Sequence, residues 1–229
     1  MNRYDRNLNR GLFFTFEGGE GSGKSTQIER LAAHLRADGM DVVVTREPGG
    51  SPAAEIVREV LLSGAAEKHG ADVEAILFSA ARRDHVETLI RPALAAGKIV
   101  LCDRFMDSTR VYQGLAGTMP DAQLKALEAL AINGVVPDLT YLLDLPAEVG
   151  LARAAARRNK NDVPDRFEKE TLRIHEERRR AYLAIAVKEP DRFVLIPANR
   201  APELIADEIA LVARTHLAAR ILQENAVKA

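Results

Sequence analysis

Residues Gly18-Gly19-Glu20-Gly21-Ser22-Gly23-Lys24-Ser25 form a complete G-x-x-x-x-G-K-S phosphate loop. The apolar run 12–16 precedes it, and a helix-period segment with Ile28, Leu31, Ala32 and Leu35 on one face follows. That is the strand–loop–helix setting the motif requires. Glycines let backbone N–H groups turn inward without Cβ clashes, and the following helix presents its positive end to phosphate. Lys24 is then placed for the β- and γ-phosphates, with the Ser25 hydroxyl as a Mg²⁺ ligand. The spacing therefore predicts a nucleoside triphosphate site over 18–26, Thr26 included.

Further cations and acids stand where apolar runs stop. Val42, Val43 and Val44 lead into Arg46-Glu47-Pro48-Gly49-Gly50; Ile99, Val100, Leu101 and Cys102 lead into Asp103-Arg104. A fourth run over 139–143 ends at Asp144, and a fifth over 193–196 ends at Pro197. Helical stretches are predicted near 52–63, 72–96, 121–133, 147–158, 166–188 and 202–224, with Gly39 stopping the helix that follows the phosphate loop. Five β-rich runs alternating with helices predict an α/β fold, a parallel five-stranded sheet with helices on both faces. Ligands of such sheets sit beyond the carboxyl ends of the strands, which brings both Arg clusters to the phosphate loop.

Composition bounds the partners. The chain has 229 residues and a formal net charge of −1, which argues against broad electrostatic binding to nucleic acid or an acidic membrane. No apolar run nears the roughly 20 residues that span a bilayer. Residues 1–10 are polar with no apolar core, so they read as a flexible tail, and 11–229 as a single domain. Lone Cys102 lies in an apolar run and reads as buried filler in a cytoplasmic protein.

Segment 153–166, RAAARRNKNDVPDR, is basic and polar and reads as a mobile flap closing over triphosphate, the lid lying near 153–168. Arg178-Arg179-Arg180 reads as a solvated, ion-paired helix face. Asn159-Lys160-Asn161-Asp162 matches the guanine-reading N-K-x-D of GTPase switches, but a helical run precedes it where a buried strand is required, and no D-x-x-G occurs. A switch is thus the weaker of two classes; an enzyme phosphorylating a small acceptor is the stronger.

The motifs together resemble the thymidylate kinase family in its bacterial form. They are Phe16-Glu17-Gly18 entering the phosphate loop, Thr45-Arg46-Glu47-Pro48-Gly49-Gly50, and Phe78 with Arg82. Then come Asp103-Arg104-Phe105, Ser108-Thr109, Tyr112-Gln113-Gly114, Pro137-Asp138-Leu139-Thr140 and Asp165-Arg166-Phe167-Glu168. They stand in the family's order over most of the chain.

The resemblance implies a P-loop NTPase fold and ATP-dependent phosphorylation of dTMP to dTDP; a kinase of another nucleoside monophosphate is the nearest alternative. By this likeness Lys24, Arg104, Arg153 and Arg157 are catalytic. Arg46, Glu47, Phe78, Arg82, Arg104, Ser108, Thr109, Tyr112 and Gln113 hold dTMP. Phe78 would stack on thymine, Arg82 donate to its O4, and Tyr112 pack on the sugar. Ser25, Asp103 and Glu20 would organise Mg²⁺, the two carboxylates alternatively meeting the sugar 3′-OH, and the loop 197–199 would meet adenine. The family is usually a homodimer. Gly21 stands where one branch of the family carries an Arg, so the missing cation is expected from Arg153 and Arg157, which share a helix face at i, i+4.

Overall fold

The computed structural model of the chain describes residues 10–116, 119–157 and 170–228. The strands are β1 (Phe13–Glu17), β2 (Val42–Arg46), β3 (Ile99–Asp103), β4 (Leu139–Asp144) and β5 (Phe193–Pro197), in the order β2-β3-β1-β4-β5. All four pairings are parallel, as expected from the alternation of runs and helices. Central β1 is buried along its whole length, and Val44 of β2 and Leu195 of β5 are exposed on the edge strands. A sheet buried on both faces needs continuous apolar strands at its centre, and Phe13, Phe14 and Phe16 supply them.

Helices cover the sheet: α1 (Lys24–Ala37), α2 (Pro52–Ser63), α3 (Ala71–His85), α4 (Arg91–Ala95), α5 (Met106–Ala116), α6 (Asp121–Ile132), α7 (Ala147–Arg157), α8 (Leu172–Lys188) and α9 (Pro202–Lys228). One core layer joins α1 and α9 to the sheet through Ile28, Leu31, Leu35, Ile205 and Ile209. A second, on Phe13, Val100 and Phe105, takes in Val86 and Ile90 from the stretch after α3.

Two elements differ from expectation. The single helix predicted over 72–96 is α3, a π turn at Val86–Ile90, and α4. Pro92 has no N–H for the regular ladder, which gives a local cause for the wider turn. Helix α5 was not expected at all. Its sequence MDSTRVYQGLA carries Thr109, Val111 and Gly114, poor helix formers; burial of Met106 and Val111 holds it in place. Helix α8 begins at Leu172, with Thr171 as its N-cap.

Of the expected tail, residues 1–9 lie outside the described residues. Arg10 is held by a two-pronged pair to Asp138, at 2.8 and 2.9 Å. Residues 158–169, with NKND, Arg158 and 165–168, also lie outside. Among the described residues, the run before NKND, 154–157, is the last turn of α7 and not a strand.

Candidate active site

At the carboxyl ends of β1, β2 and β3 the chain encloses a cavity of about 280 Å³. One wall is the phosphate loop from Glu20 to Ser25; Arg46 and Glu47 come from the end of β2, Phe78 and Arg82 from α3, and Asp103 and Arg104 from the end of β3. Ser108, Thr109, Tyr112 and Gln113 face it from α5, and Arg157 from α7. Spacing along α5 explains that face: positions 108, 109, 112 and 113 fall on one side of a 3.6-residue helix. Pro48, from the 45–50 motif, lines the cavity as well, as do Arg58 and Leu62; α2 puts the last two there, and their sequence carries no motif.

Four expected residues lie elsewhere. Gly18 and Gly19 stand behind the cavity and accept hydrogen bonds from Lys24 Nζ at 3.2 and 3.1 Å. Thr26 is exposed on α1. Arg153 does not join Arg157; its guanidinium donates to the Ala198 carbonyl at 3.1 Å and to Asn199 Oδ1 at 3.3 Å, on the loop after β5. The shared helix face was read correctly, but the Arg153 side chain turns toward that loop.

Ser25 Oγ donates to Asp103 Oδ2 at 2.9 Å, and the buried Asp103 Oδ1 has no hydrogen-bond partner among the described residues. A hydroxyl and one half-used carboxylate beside a phosphate loop are a fitting donor set for Mg²⁺, which takes few protein ligands and keeps substrate oxygens and water for the rest. Glu20 approaches Arg104 Nη2 at 3.6 Å. Burial works against the charge of Glu20, yet Lys24, Arg104 and Arg157 outweigh it and hold the carboxyl below its usual range.

Arg104 adopts φ 67°, a left-handed conformation rare for a side-chain-bearing residue, and its N–H donates to the Phe16 carbonyl at 2.9 Å. That backbone bend aims the guanidinium into the cavity. Its Nη1 donates to the hydroxyls of Ser108 and Tyr182, both at 3.3 Å. These hydroxyls in turn donate to Glu17 Oε2 at 2.7 and 2.9 Å, while Phe105 N–H donates to Oε1 at 2.8 Å. Burial, and next the Asp107 carboxylate, push Glu17 up to about 7 against the pull of Arg104 and these hydrogen bonds.

A carboxyl raised in this way keeps its proton in the folded state after the unfolded chain has lost it. Stability therefore falls as pH rises from the ordinary value of 4.5 through about 7. Relative to Glu17→Gln, wild-type stability should drop by on the order of 3 kcal/mol between about pH 5 and 8. Urea unfolding of both proteins across that range checks it; parallel stability curves would remove the titration.

Arg178 overturns the expectation of a solvated face at 178–180. It is buried, pairs with Glu170, and lies over the Tyr112 ring at 4.0 Å from the centroid. Neighbouring Arg179 pairs with Asp144 at 2.6 Å, and Arg180 is exposed. Cys102 is buried filler, as expected.

A phosphate loop with Lys and Ser, opening on an Arg-lined cavity with an aromatic wall, defines a P-loop phosphotransferase with room for a nucleotide acceptor. The family model described as Thymidylate kinase matches residues 16–209. Thymidylate kinase of Bartonella quintana is 55% identical over 199 residues, 87% of this chain and 93% of that protein. The thymidylate kinase of Bradyrhizobium diazoefficiens is 53% identical over 212 residues, 93% and 92% of the two chains. In three dimensions the chain is similar to the crystal structure of thymidylate kinase from Ehrlichia chaffeensis, with a TM-score of 0.71 and 31% identity, over 89% of this chain and 98% of that one. The chain belongs to the thymidylate kinase family, whose reaction is ATP-dependent phosphorylation of dTMP to dTDP.

Proposed function

We propose that this chain moves the γ-phosphoryl group of ATP onto the 5′-phosphate of dTMP in the cytoplasm, as a homodimer, by charge neutralisation and alignment without a general base. The observation that carries this reading is the convergence on one cavity of Lys24 and Ser25 with Arg46, Arg104 and Arg157. A phosphate monoester has a second pKa near 6 and is already mostly a dianion at neutral pH, so the acceptor needs no deprotonation. What the reaction needs is cations that hold two repelling anions in line and follow the charge as it moves.

Arg104 and Arg46 hold the dTMP phosphate. Lys24 serves the β- and γ-phosphates, and Arg157 the transferring group. Ser25, Asp103 and Glu20 would hold Mg²⁺ and its waters. The ion, when bound, would supply positive charge to offset that of the triphosphate. Phe78 stacks on the base, Tyr112 packs on the sugar, and Thr109 and Gln113 complete the base edge beside Arg82. Arg153, fixed on Ala198 and Asn199, orders the loop against which adenine lies.

Exposed apolar side chains on adjacent helices, Ile56 of α2, Ile76 of α3 and Leu130 of α6, support the dimer. No helix among the described residues is long and apolar enough to cross a membrane.

Arg82 sets the base preference. Its guanidinium has five N–H donors, and among the described residues three go to Glu47, Thr109 and the Phe105 carbonyl. The two left suit a carbonyl at position 4 of the base and leave the amino group of cytosine facing donors. An unpaired buried donor costs up to about 10⁴-fold in discrimination, whereas one methyl is worth about 10–200-fold. Coupled ADP-release assays on a panel of monophosphates should therefore rank dTMP over dUMP by the smaller factor and over dCMP by the larger, with the active species sedimenting as a dimer. A dCMP rate equal to that with dTMP would refute the base assignment.

A further inference from the structure

We propose that His85 is a positioning residue for base recognition: through Glu47 it fixes the guanidinium of Arg82 and thereby sets the preference for dTMP over dCMP. This rests on the role of Arg82 proposed above.

Buried His85 closes a chain of hydrogen bonds that ends at the cavity. Thr45 Oγ1 lies 2.7 Å from His85 Nε2, and His85 Nδ1 lies 3.1 Å from Glu47 Oε1. The other oxygen of Glu47 accepts from Arg82 Nε at 2.7 Å. Arg82 Nη1 then donates to Thr109 Oγ1 at 2.8 Å, and Nη2 to the Phe105 carbonyl at 2.9 Å. His85 and the Arg82 side chain are 0% and 1% exposed, so water cannot replace a missing partner cheaply.

Direction along the chain follows from chemistry. A carboxylate only accepts, so Nδ1 carries the ring hydrogen toward Glu47, and in the neutral ring Nε2 then takes the Thr45 hydroxyl hydrogen. With both oxygens of Glu47 spoken for, its plane is fixed, and with it the plane of Arg82. A planar fork reads a base edge only when its plane is set.

The sequence builds this arrangement from three sides. Phe78, Arg82 and His85 stand at i, i+4 and i+7 on α3, so ring, reading fork and orienting imidazole share one helix face. Thr45 and Glu47 come from the end of β2. Gly50, at φ 86°, leaves the imidazole its space: a Cβ there would run into His85 Nε2 and Cδ2 and Thr45 Oγ1. The π turn begins at Val86, directly after this ring.

Two substitutions separate orientation from packing. Asn at 85 keeps an amide donor near the Nδ1 position; Gln at 85 places its amide near Nε2 and leaves Glu47 without that donor. Each removes the ring and leaves a similar gap. The expected result is a dTMP-to-dCMP ratio of kcat/KM that falls about tenfold or more in His85→Gln, through KM for dTMP. His85→Asn should stay within about threefold of wild type, and KM for ATP should not change in either.

Equal effects of Gln and Asn, or a uniform loss on all nucleotides and ATP, would overturn the role of His85. A wild-type ratio near one would instead remove the base-reading role of Arg82, and this proposal with it. Imidazole nitrogen chemical shifts of wild-type protein give a check that needs no variant: an Nε2–H tautomer at His85 overturns the chain as drawn.

Discussion

Replacing Arg104 by Ala is expected to weaken dTMP binding by about 10²-fold or more while leaving ATP binding within a few-fold. Truncating one partner of a buried, hydrogen-bonded ion pair costs about 2–5 kcal/mol, and about 1.4 kcal/mol is a factor of ten. Arg104 meets that description. Its Nη1 is held by two hydroxyls anchored on Glu17, and its carbon lies 5.3 Å from the centre of the Tyr112 ring. The anion it serves would otherwise face the carboxylates of Glu20 and Asp103.

A Lys at 104 should not restore binding, because a point charge cannot span Ser108, Tyr182 and a phosphate together. Gly at 104 gives the sharper experiment. It accepts φ 67° without the steric cost an L side chain bears, so the protein should be as stable as the Ala variant or more so and still bind dTMP poorly. Titration of dTMP by calorimetry, with thermal melts of both variants, measures the two effects separately. Affinity kept in Arg104→Ala would move the phosphate site away from the Asp103-Arg104 turn.

How much of this was legible in the sequence varies with how local each feature is. The five strands and the clusters at their ends follow from apolar runs that stop at charged residues, since a strand buried on both faces can hold little else. Arg46 and Arg104 follow in this way, the phosphate loop from its own motif, and Phe78 and Arg82 from the family resemblance; these four side chains and residues 20–25 of the loop line one cavity. Helix α5 was not, because Thr109, Val111 and Gly114 give it little intrinsic helicity and it depends on packing that local pattern does not reveal. Arg178 was misread for a related reason: two neighbouring Glu residues suggested a solvated face, while Tyr112, 66 positions away, supplies its partner ring. His85 could have been noticed from its i+3 spacing to Arg82, but Glu47 is 38 residues from it in sequence. Contacts of that range are made by topology alone.

Arg157→Ala is expected to lower kcat by about 10²-fold or more with little change in dTMP binding, whereas Arg153→Ala should act mainly through KM for ATP. The reason begins at Gly21. A Cβ there would collide with the Gly150 carbonyl of α7, and a Cβ on Gly150 would meet the Glu20 carbonyl. Helix α7 thus lies backbone to backbone against the phosphate loop, and the loop has no room for a cationic side chain of its own at that point. The same contact fixes where a cation can come from. Gly150, Arg153 and Arg157 are spaced i, i+3 and i+7, on one face of α7. Arg153 is occupied at Ala198 and Asn199, beside the end of β5, and Arg157 lines the cavity close enough to help hold the Glu20 carboxyl below its usual range. A guanidinium that meets charge developing on the transferring group is worth about 10³–10⁵ in kcat where such arginines act. Because that charge grows only as the phosphoryl group moves, its loss should appear in kcat rather than in ground-state binding. Steady-state kinetics with ATP and dTMP varied in turn, beside dTMP titration of each variant, separate the two arginines. A near-normal kcat in Arg157→Ala would assign the missing charge to another residue. A kcat loss in Arg153→Ala as large as in Arg157→Ala would mean that Arg153 leaves the β5 loop during turnover.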